Sequence, residues 1–398
     1  MWRCFGSLVA AVWLSAAASG ATPDAGLRAS IQRDLDQYLS SRSKIEHISA
    51  ISLSISLHGQ TENIDFTAGR VRYGDDASVS PENLWQIGSN TKAFTATAIL
   101  QLEAEGKLTI DQTVGRWLPQ YPAWKNVTIR RLLDMTSGIP GYDNVPAMLA
   151  AYAKNPQRHF APAELIAYVY PANNPQAPKP TIGYAYSNTN YILAQLIIER
   201  ATGQSYASEI ERRFLHSKIG LTSTYYSDAE YGSDVLARMV SGYFYNHDAD
   251  DAPLAPLLGK DVSADSVSWM QGAGGIVSTP EDVTRWARAL YSGPMLAPKQ
   301  RTELLSIVST RNGRPIGTTS PGDPRGFGLG VAQMTMPRIG TVWFYEGETL
   351  GFRMLHVYLP RQDAVIAFGL NSQPDSKEDH SGKLMMSIYE SLHAAGEL

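Results

Sequence analysis

The chain has one cysteine in 398 residues, Cys4, and it stands at the extreme N-terminus. A disulfide framework is excluded, so stability has to come from an apolar core, and the length allows one. Charge of either sign is also scarce: charged residues make up 18% and the formal net charge is −4. That balance excludes the basic footprint of a nucleic-acid binder and gives no reason to expect an anionic membrane surface as partner. Beyond the first twenty or so residues no run is long and apolar enough to span a bilayer. Gly-x-Ser-x-Gly and His-Glu-x-x-His are both missing, which removes the α/β-hydrolase elbow and the zinc-protease helix. No internal repeat or low-complexity tract occurs.

What is present begins with an export signal. Arg3 supplies the basic start, Phe5 to Ala18 an apolar run of small residues, and Ser19-Gly-Ala21 a cleavage site. Residues 1–21 therefore read as a signal peptide. The mature chain, 22–398, would hold no cysteine and would be periplasmic or secreted.

Patterning then gives the elements. Leu27, Ile31, Leu35 and Leu39 recur every four residues and predict an amphipathic helix over 25–40. Ile51-Ser-Leu-Ser-Ile-Ser-Leu57 alternates and predicts a half-buried strand, with 62–72 as its hairpin partner. Residues 107 to about 325 read as mostly helical between long loops. Thr128, Ser205 and Thr279 mark helix starts, and Gly203 marks a stop. Strands return over 327–334, 341–346, 352–359 and 364–370, and a helix closes the chain at 381–394. Strands at both ends with helices between predict an α+β fold. Its antiparallel sheet would be built from 22–85 and 326–398, with a helical subdomain over 86–325.

One stretch demands a chemical explanation: Gly88-Ser89-Asn-Thr-Lys92, opening an apolar helix that runs to Gly106. Residues i and i+3 share a helix face, so the Lys92 amine reaches the Ser89 hydroxyl. Burial and the positive helix end both disfavour the ammonium, leaving an amine able to take the serine proton. Ser-x-x-Lys alone is a weak pattern, since Ser41-Arg-Ser-Lys44 matches it in a polar stretch. Tyr184-Ala-Tyr186-Ser-Asn188 adds a phenol and an amide, although Tyr142-Asp-Asn144 also fits Tyr-x-Asn and reads as a loop contact. His247-Asp-Ala-Asp-Asp251 reads as a solvated acidic loop rather than a metal site.

Together these motifs resemble the penicillin-recognising serine hydrolases: class C β-lactamases, D-Ala-D-Ala carboxypeptidases and related esterases. Thr128-Ile-Arg-Arg-Leu-Leu-Asp-Met-Thr-Ser-Gly-Ile-Pro140, Ala273-Gly-Gly-Ile-Val-Ser-Thr279 and Gly326-Phe-Gly-Leu-Gly330 are similar to the same family, so the likeness runs from about 47 to 370. The resemblance implies an acyl-enzyme on Ser89, with Lys92 as its proton acceptor or as the electrostatic partner of Tyr186, and with Tyr186 as proton shuttle in acylation and activator of water in deacylation. Asn188 would bind Lys92 and the substrate carbonyl. It implies no metal and no cofactor, and a small-molecule or peptide acyl substrate. A non-turnover penicillin- or peptidoglycan-binding protein is the alternative.

The third family motif, Lys/His-x-Gly, is altered. Tyr345-Glu346-Gly347-Glu348 puts a tyrosine where the family has a cation. Tyr345 and Gly347 would border the substrate, and the Glu348 and Ser89 amides would form the oxyanion hole. Lys218-Ile-Gly220 matches the missing pattern but ends a helix, and reads as coincidence. A substrate carboxylate would be bound less well here than a neutral or amine-bearing group. The choice between esterase, amidase, peptidase and true β-lactamase stays open. Arg353 is either a substitute cation or a surface strand residue.

Overall fold

The structure is a computed structural model that describes residues 25–174, 179–228 and 230–398. The signal-peptide reading of 1–21, with Cys4, lies outside the described residues. Among the described residues no helix is long and apolar enough to cross a membrane.

A nine-stranded sheet organises the molecule. Its strands are β1 (Ala50–Ser56), β2 (Ile64–Gly69), β3 (Ile307–Ser309), β4 (Pro315–Ile316), β5 (Arg325–Phe327), β6 (Ala332–Met336), β7 (Gly340–Glu348), β8 (Arg353–Leu359) and β9 (Ala364–Leu370). They lie in the order β2-β1-β9-β8-β7-β6-β5-β3-β4, and every pairing is antiparallel. The mixed α+β architecture is as expected. The sheet also takes β3 and β4 from the stretch that reads as helical.

Helices α1 (Ala25–Arg42) and α5 (Ser381–Ala394) cover the outer face. Leu27, Ile31 and Leu35 of α1 pack there with Ile51, Leu53 and Ile55 of β1 and with Ile366 and Phe368 of β9. Burying each such side chain is worth about 1.5–3 kcal/mol. The alternate residues of β1 are serines, yet they are buried too. They face helix α4 (Pro280–Tyr291): Arg288 Nε donates to Ser56 Oγ at 2.9 Å, and Ser54 Oγ lies 3.5 Å from Thr284 Oγ1. β1 is thus covered on both faces, not half-buried, because small hydroxyl side chains let α4 approach.

The stretch 327–334 is two strands. Gly330 at φ +76° turns the chain between β5 and β6, and a Cβ there would fall 2.7 Å from the Lys92 carbonyl. Helix α2 (Thr91–Ala104) runs through the centre of the larger core. Phe94 stacks on Trp286 of α4 with centroids 3.6 Å apart, and Thr95 Oγ1 donates to the Gly272 carbonyl at 2.6 Å. Glu105 is the C-cap of α2, and Gly106 at φ +72° is the left-handed stop. The helix that Ser205 caps runs over Tyr206–Ile210 and widens to a π-turn at Glu211–Leu215. Thr128 and Thr279 cap their helices as expected.

Candidate active site

Ser89 sits in a 3₁₀ turn, Gly88–Asn90, that leads into α2. Asn90 holds the N-cap position of α2. The Asn90 side chain ties the turn to the sheet: Nδ2 donates to Ile87 O at 2.9 Å and to Met354 O at 2.8 Å. Its Oδ1 therefore faces His356 Nδ1 at 2.7 Å, which assigns the proton to that nitrogen. Burial pushes His356 down to about 3, so the ring is neutral, and its Nε2 accepts from the Tyr291 hydroxyl at 3.2 Å. No local sequence pattern announces this Tyr291–His356–Asn90 brace.

Lys92 follows one turn later and is 0% exposed. Its Nζ lies 2.9 Å from Ser89 Oγ and donates to Ala273 O at 2.7 Å. Burial lowers the amine to about 7, with the Asp143 charge opposing. The Tyr186 hydroxyl reaches Ser89 Oγ at 2.8 Å from the other side. Desolvation raises the Tyr186 pKa, opposed by its hydrogen bonds to Ser89 and Tyr345. The neutral phenol is the resting form. Tyr345 is buried, with its hydroxyl 3.3 Å from that of Tyr186.

Asn188 opens helix α3 (Asn188–Thr202). Its Nδ2 donates to Asp143 Oδ2 at 2.8 Å, so Asn188 binds this carboxylate where Lys92 was the expected partner. Asp143 comes from the Tyr142–Asn144 turn, which the sequence reading passes over as a loop contact. It is the missed residue of the site. Burial raises its pKa, and the Lys92 charge opposes the rise.

β7 passes beside the serine turn. A Cβ on Gly347 would fall 2.8 Å from Ser89 N and 2.0 Å from Ile87 O, and one on Gly88 would fall 2.8 Å from Glu348 N. The two glycines bring the Ser89 and Glu348 amides together. Arg353 is neither a surface residue nor a free cation. It is buried, with Nη1 2.9 Å from Glu46 Oε2 and 2.6 Å from Asp379 Oδ1. Lys218 is exposed and lines no part of the cavity. Ser41 and Lys44 are exposed at the end of α1.

Ser89 opens into a cavity of about 330 Å³. Leu149, Leu254, Trp269 and Leu350 form its apolar side, and Asp143, Asp251, Glu346 and Glu348 its acidic side. Asp251, expected in a solvated acidic loop, is part of this wall.

A β-lactamase family model matches residues 35–386. The chain belongs to the β-lactamase family. Within that family it is 26% identical over 302 residues to penicillin-binding protein 4* of Bacillus subtilis (strain 168), a match that covers 75% of this chain and 63% of that one. The chain thus spans less than two thirds of this relative. Among solved structures it is similar to a D-stereospecific amidohydrolase from Streptomyces sp., at 25% identity and TM-score 0.71, covering 88% of this chain and 96% of that one. It also shares the fold of D-amino acid amidase from Ochrobactrum anthropi SV3, at 22% identity and TM-score 0.77, covering 92% and 99%.

Proposed function

We propose that this chain is a serine hydrolase that opens an amide or ester bond through an acyl-Ser89 intermediate. The observation that supports this most directly is the convergence of Lys92 Nζ and the Tyr186 hydroxyl on Ser89 Oγ, at 2.9 and 2.8 Å. Neutral Lys92 donates to Ala273 O and accepts the Ser89 proton, while Tyr186 donates to Ser89 Oγ. Ser89 Oγ then bonds to the substrate carbonyl carbon, and the oxyanion takes hydrogen bonds from the Ser89 and Glu348 amides. The proton lifted by Lys92 returns through the Tyr186 hydroxyl to the leaving nitrogen or oxygen as that bond breaks. Water repeats the sequence in deacylation: it loses a proton to the Lys92–Tyr186 pair, adds to the acyl carbon, and Ser89 leaves with a proton.

Tyr345 in place of a cation favours a neutral or amine-bearing substrate over one that carries a carboxylate. The neighbours named as amidohydrolase and amidase fit that preference. The relative named as a penicillin-binding protein favours a second reading, a chain that is acylated without turnover. Export to the periplasm or beyond belongs to the proposal through Arg3, the apolar run and Ser19-Gly-Ala21.

Paired hydrolysis of a p-nitrophenyl ester and a chromogenic cephalosporin tests the reading. Ester turnover well above lactam turnover, abolished in Ser89→Ala, is the expected result. Turnover retained in Ser89→Ala would overturn the assignment, and a stoichiometric burst without turnover would select the second reading.

A further inference from the structure

Three buried side chains beneath the serine turn form a brace that no step of the proposed reaction uses. Asn90 follows Ser89 directly, and Asn90 and His356 are each 1% exposed. Asn90 donates one amide hydrogen to Ile87 O and the other to Met354 O of β8, and its oxygen accepts from His356 Nδ1. His356 also lies on β8, and its Nε2 accepts from the Tyr291 hydroxyl of α4. An apolar ring would fill this space with no polar atom to satisfy, so packing alone does not call for an imidazole here.

Strand register shows what the brace can do. β8 pairs with β7 so that Met354 lies opposite Gly347 and His356 opposite Tyr345. β7 carries the Glu348 amide, and the serine turn carries the Ser89 amide. The β7–β8 ladder fixes the Glu348 amide relative to β8. Asn90 fixes the Ser89 amide relative to the same strand, so the spacing of the two amides is set through Asn90. The contact is close: a Cβ on Gly347 would fall 2.7 Å from Asn90 Nδ2. Asn90 makes these bonds in only one of its two amide orientations. Turned over, its oxygen would face two carbonyl oxygens and its NH2 would face an N–H. The N–H on His356 Nδ1 selects the working orientation, and the Tyr291 hydroxyl, donating to Nε2, keeps the ring proton on Nδ1.

We propose that Asn90 and His356 are positioning residues of the oxyanion hole: Asn90 sets the Ser89 amide against the Glu348 amide, and His356 acts on Asn90 through its Nδ1–H. This rests on the acyl-Ser89 reading. Neither residue lines the cavity. Their effect therefore falls on the tetrahedral oxyanion, which needs both amides aligned, and not on the binding of the substrate beforehand.

Two substitutions at one position separate this role from packing. In His356→Asn an amide nitrogen takes the place of Nδ1 and can still donate to Asn90. In His356→Gln it takes the place of Nε2 and cannot. Both leave a gap, so both should lower the urea midpoint. We expect His356→Gln to lower kcat for a p-nitrophenyl ester by at least about tenfold with KM held within about threefold, and to slow labelling of Ser89 by a fluorophosphonate by a similar factor. His356→Asn should keep both rates within about threefold of the native enzyme. Equal rate losses in the two folded variants, or a loss carried by KM alone, overturn the proposal. 15N NMR of the native histidines reads the same brace without a substitution. One ring should carry its proton on Nδ1 at neutral pH, and that proton should shift when the fluorophosphonate labels Ser89. The absence of an Nδ1–H ring, or of the shift, overturns the proposal even where neither variant folds. Failure of Ser89 to label, with turnover retained in Ser89→Ala, would instead remove the acyl-enzyme reading itself.

Discussion

Lys92 is basic at neutral pH because it is buried, and the same burial weakens the fold. Its amine sits near 7 against an ordinary 10.5. Between those values the unfolded chain binds more protons than the native one, so stability rises with pH across that window as far as Lys92 governs it. Lys92→Met keeps the length of the side chain and removes the amine. We expect kcat/KM for a neutral ester to fall by several orders of magnitude, about two to four from lost proton transfer alone. Urea unfolding at pH 7 should show equal or greater stability. For the native enzyme the ester rate should fall about tenfold per pH unit below about 7, where Lys92 is protonated. Asp143 is the carboxylate that opposes the drop in the Lys92 pKa, so Asp143→Asn should move this acidic limb to lower pH. A limb that stays in place would mean another group sets it. The meeting of Ser89, Lys92 and Tyr186 was legible in the sequence because local spacing forces the first two together and a family pattern marks the third. Asp143 was not legible: its role comes from a turn folded against α3, and Tyr-x-Asn at 142–144 draws attention to the wrong atoms.

At the scale of elements, the site depends on how closely β7 passes the serine turn. Gly347 allows that approach, since any Cβ there would lie 2.0 Å from Ile87 O. Gly347→Ala should push β7 away from Ser89, lowering kcat/KM by about a hundredfold through loss of the paired amides. The overpacking should destabilise the chain by about 1–3 kcal/mol. Gly382→Ala in α5 is the matched control, because nothing lies within 4 Å of a Cβ there. It should leave rate and stability unchanged or raise stability slightly, by less than about 1 kcal/mol. An equal rate in Gly347→Ala would refute the oxyanion role of this edge. Gly106 after α2, Gly203 after α3 and the Thr279 cap of α4 made those helix ends readable. Strand burial was less readable. The serines of β1 look solvent-facing in any alternating pattern, and only the position of α4 shows that a second layer covers them.

At the scale of the whole molecule, the sheet joins distant parts of the chain, and that is where sequence reading stops. β3 and β4 are three and two residues long, too short to carry a period, and they enter the sheet only because β5 offers an edge. The join between the two ends of the chain is held by Arg353. It bridges Glu46, just before β1, and Asp379, just before α5, and its Nε donates to Ser372 O at 2.9 Å. Tyr38 of α1 donates to Glu46 at 2.8 Å, so the outer helix is tied to the same cluster. A buried arginine that loses one carboxylate keeps its desolvation penalty with less attraction to offset it. Glu46→Ala should therefore cost about 3 kcal/mol or more in urea unfolding. Glu46 lines no part of the cavity, so kcat/KM of the folded enzyme should hold for the neutral ester and for a carboxylate-bearing one alike. A selective change for the carboxylate substrate would mean that Arg353, once released, reaches the substrate. Equal rates with a lower unfolding midpoint would fix Arg353 as the tie between the two ends of the chain.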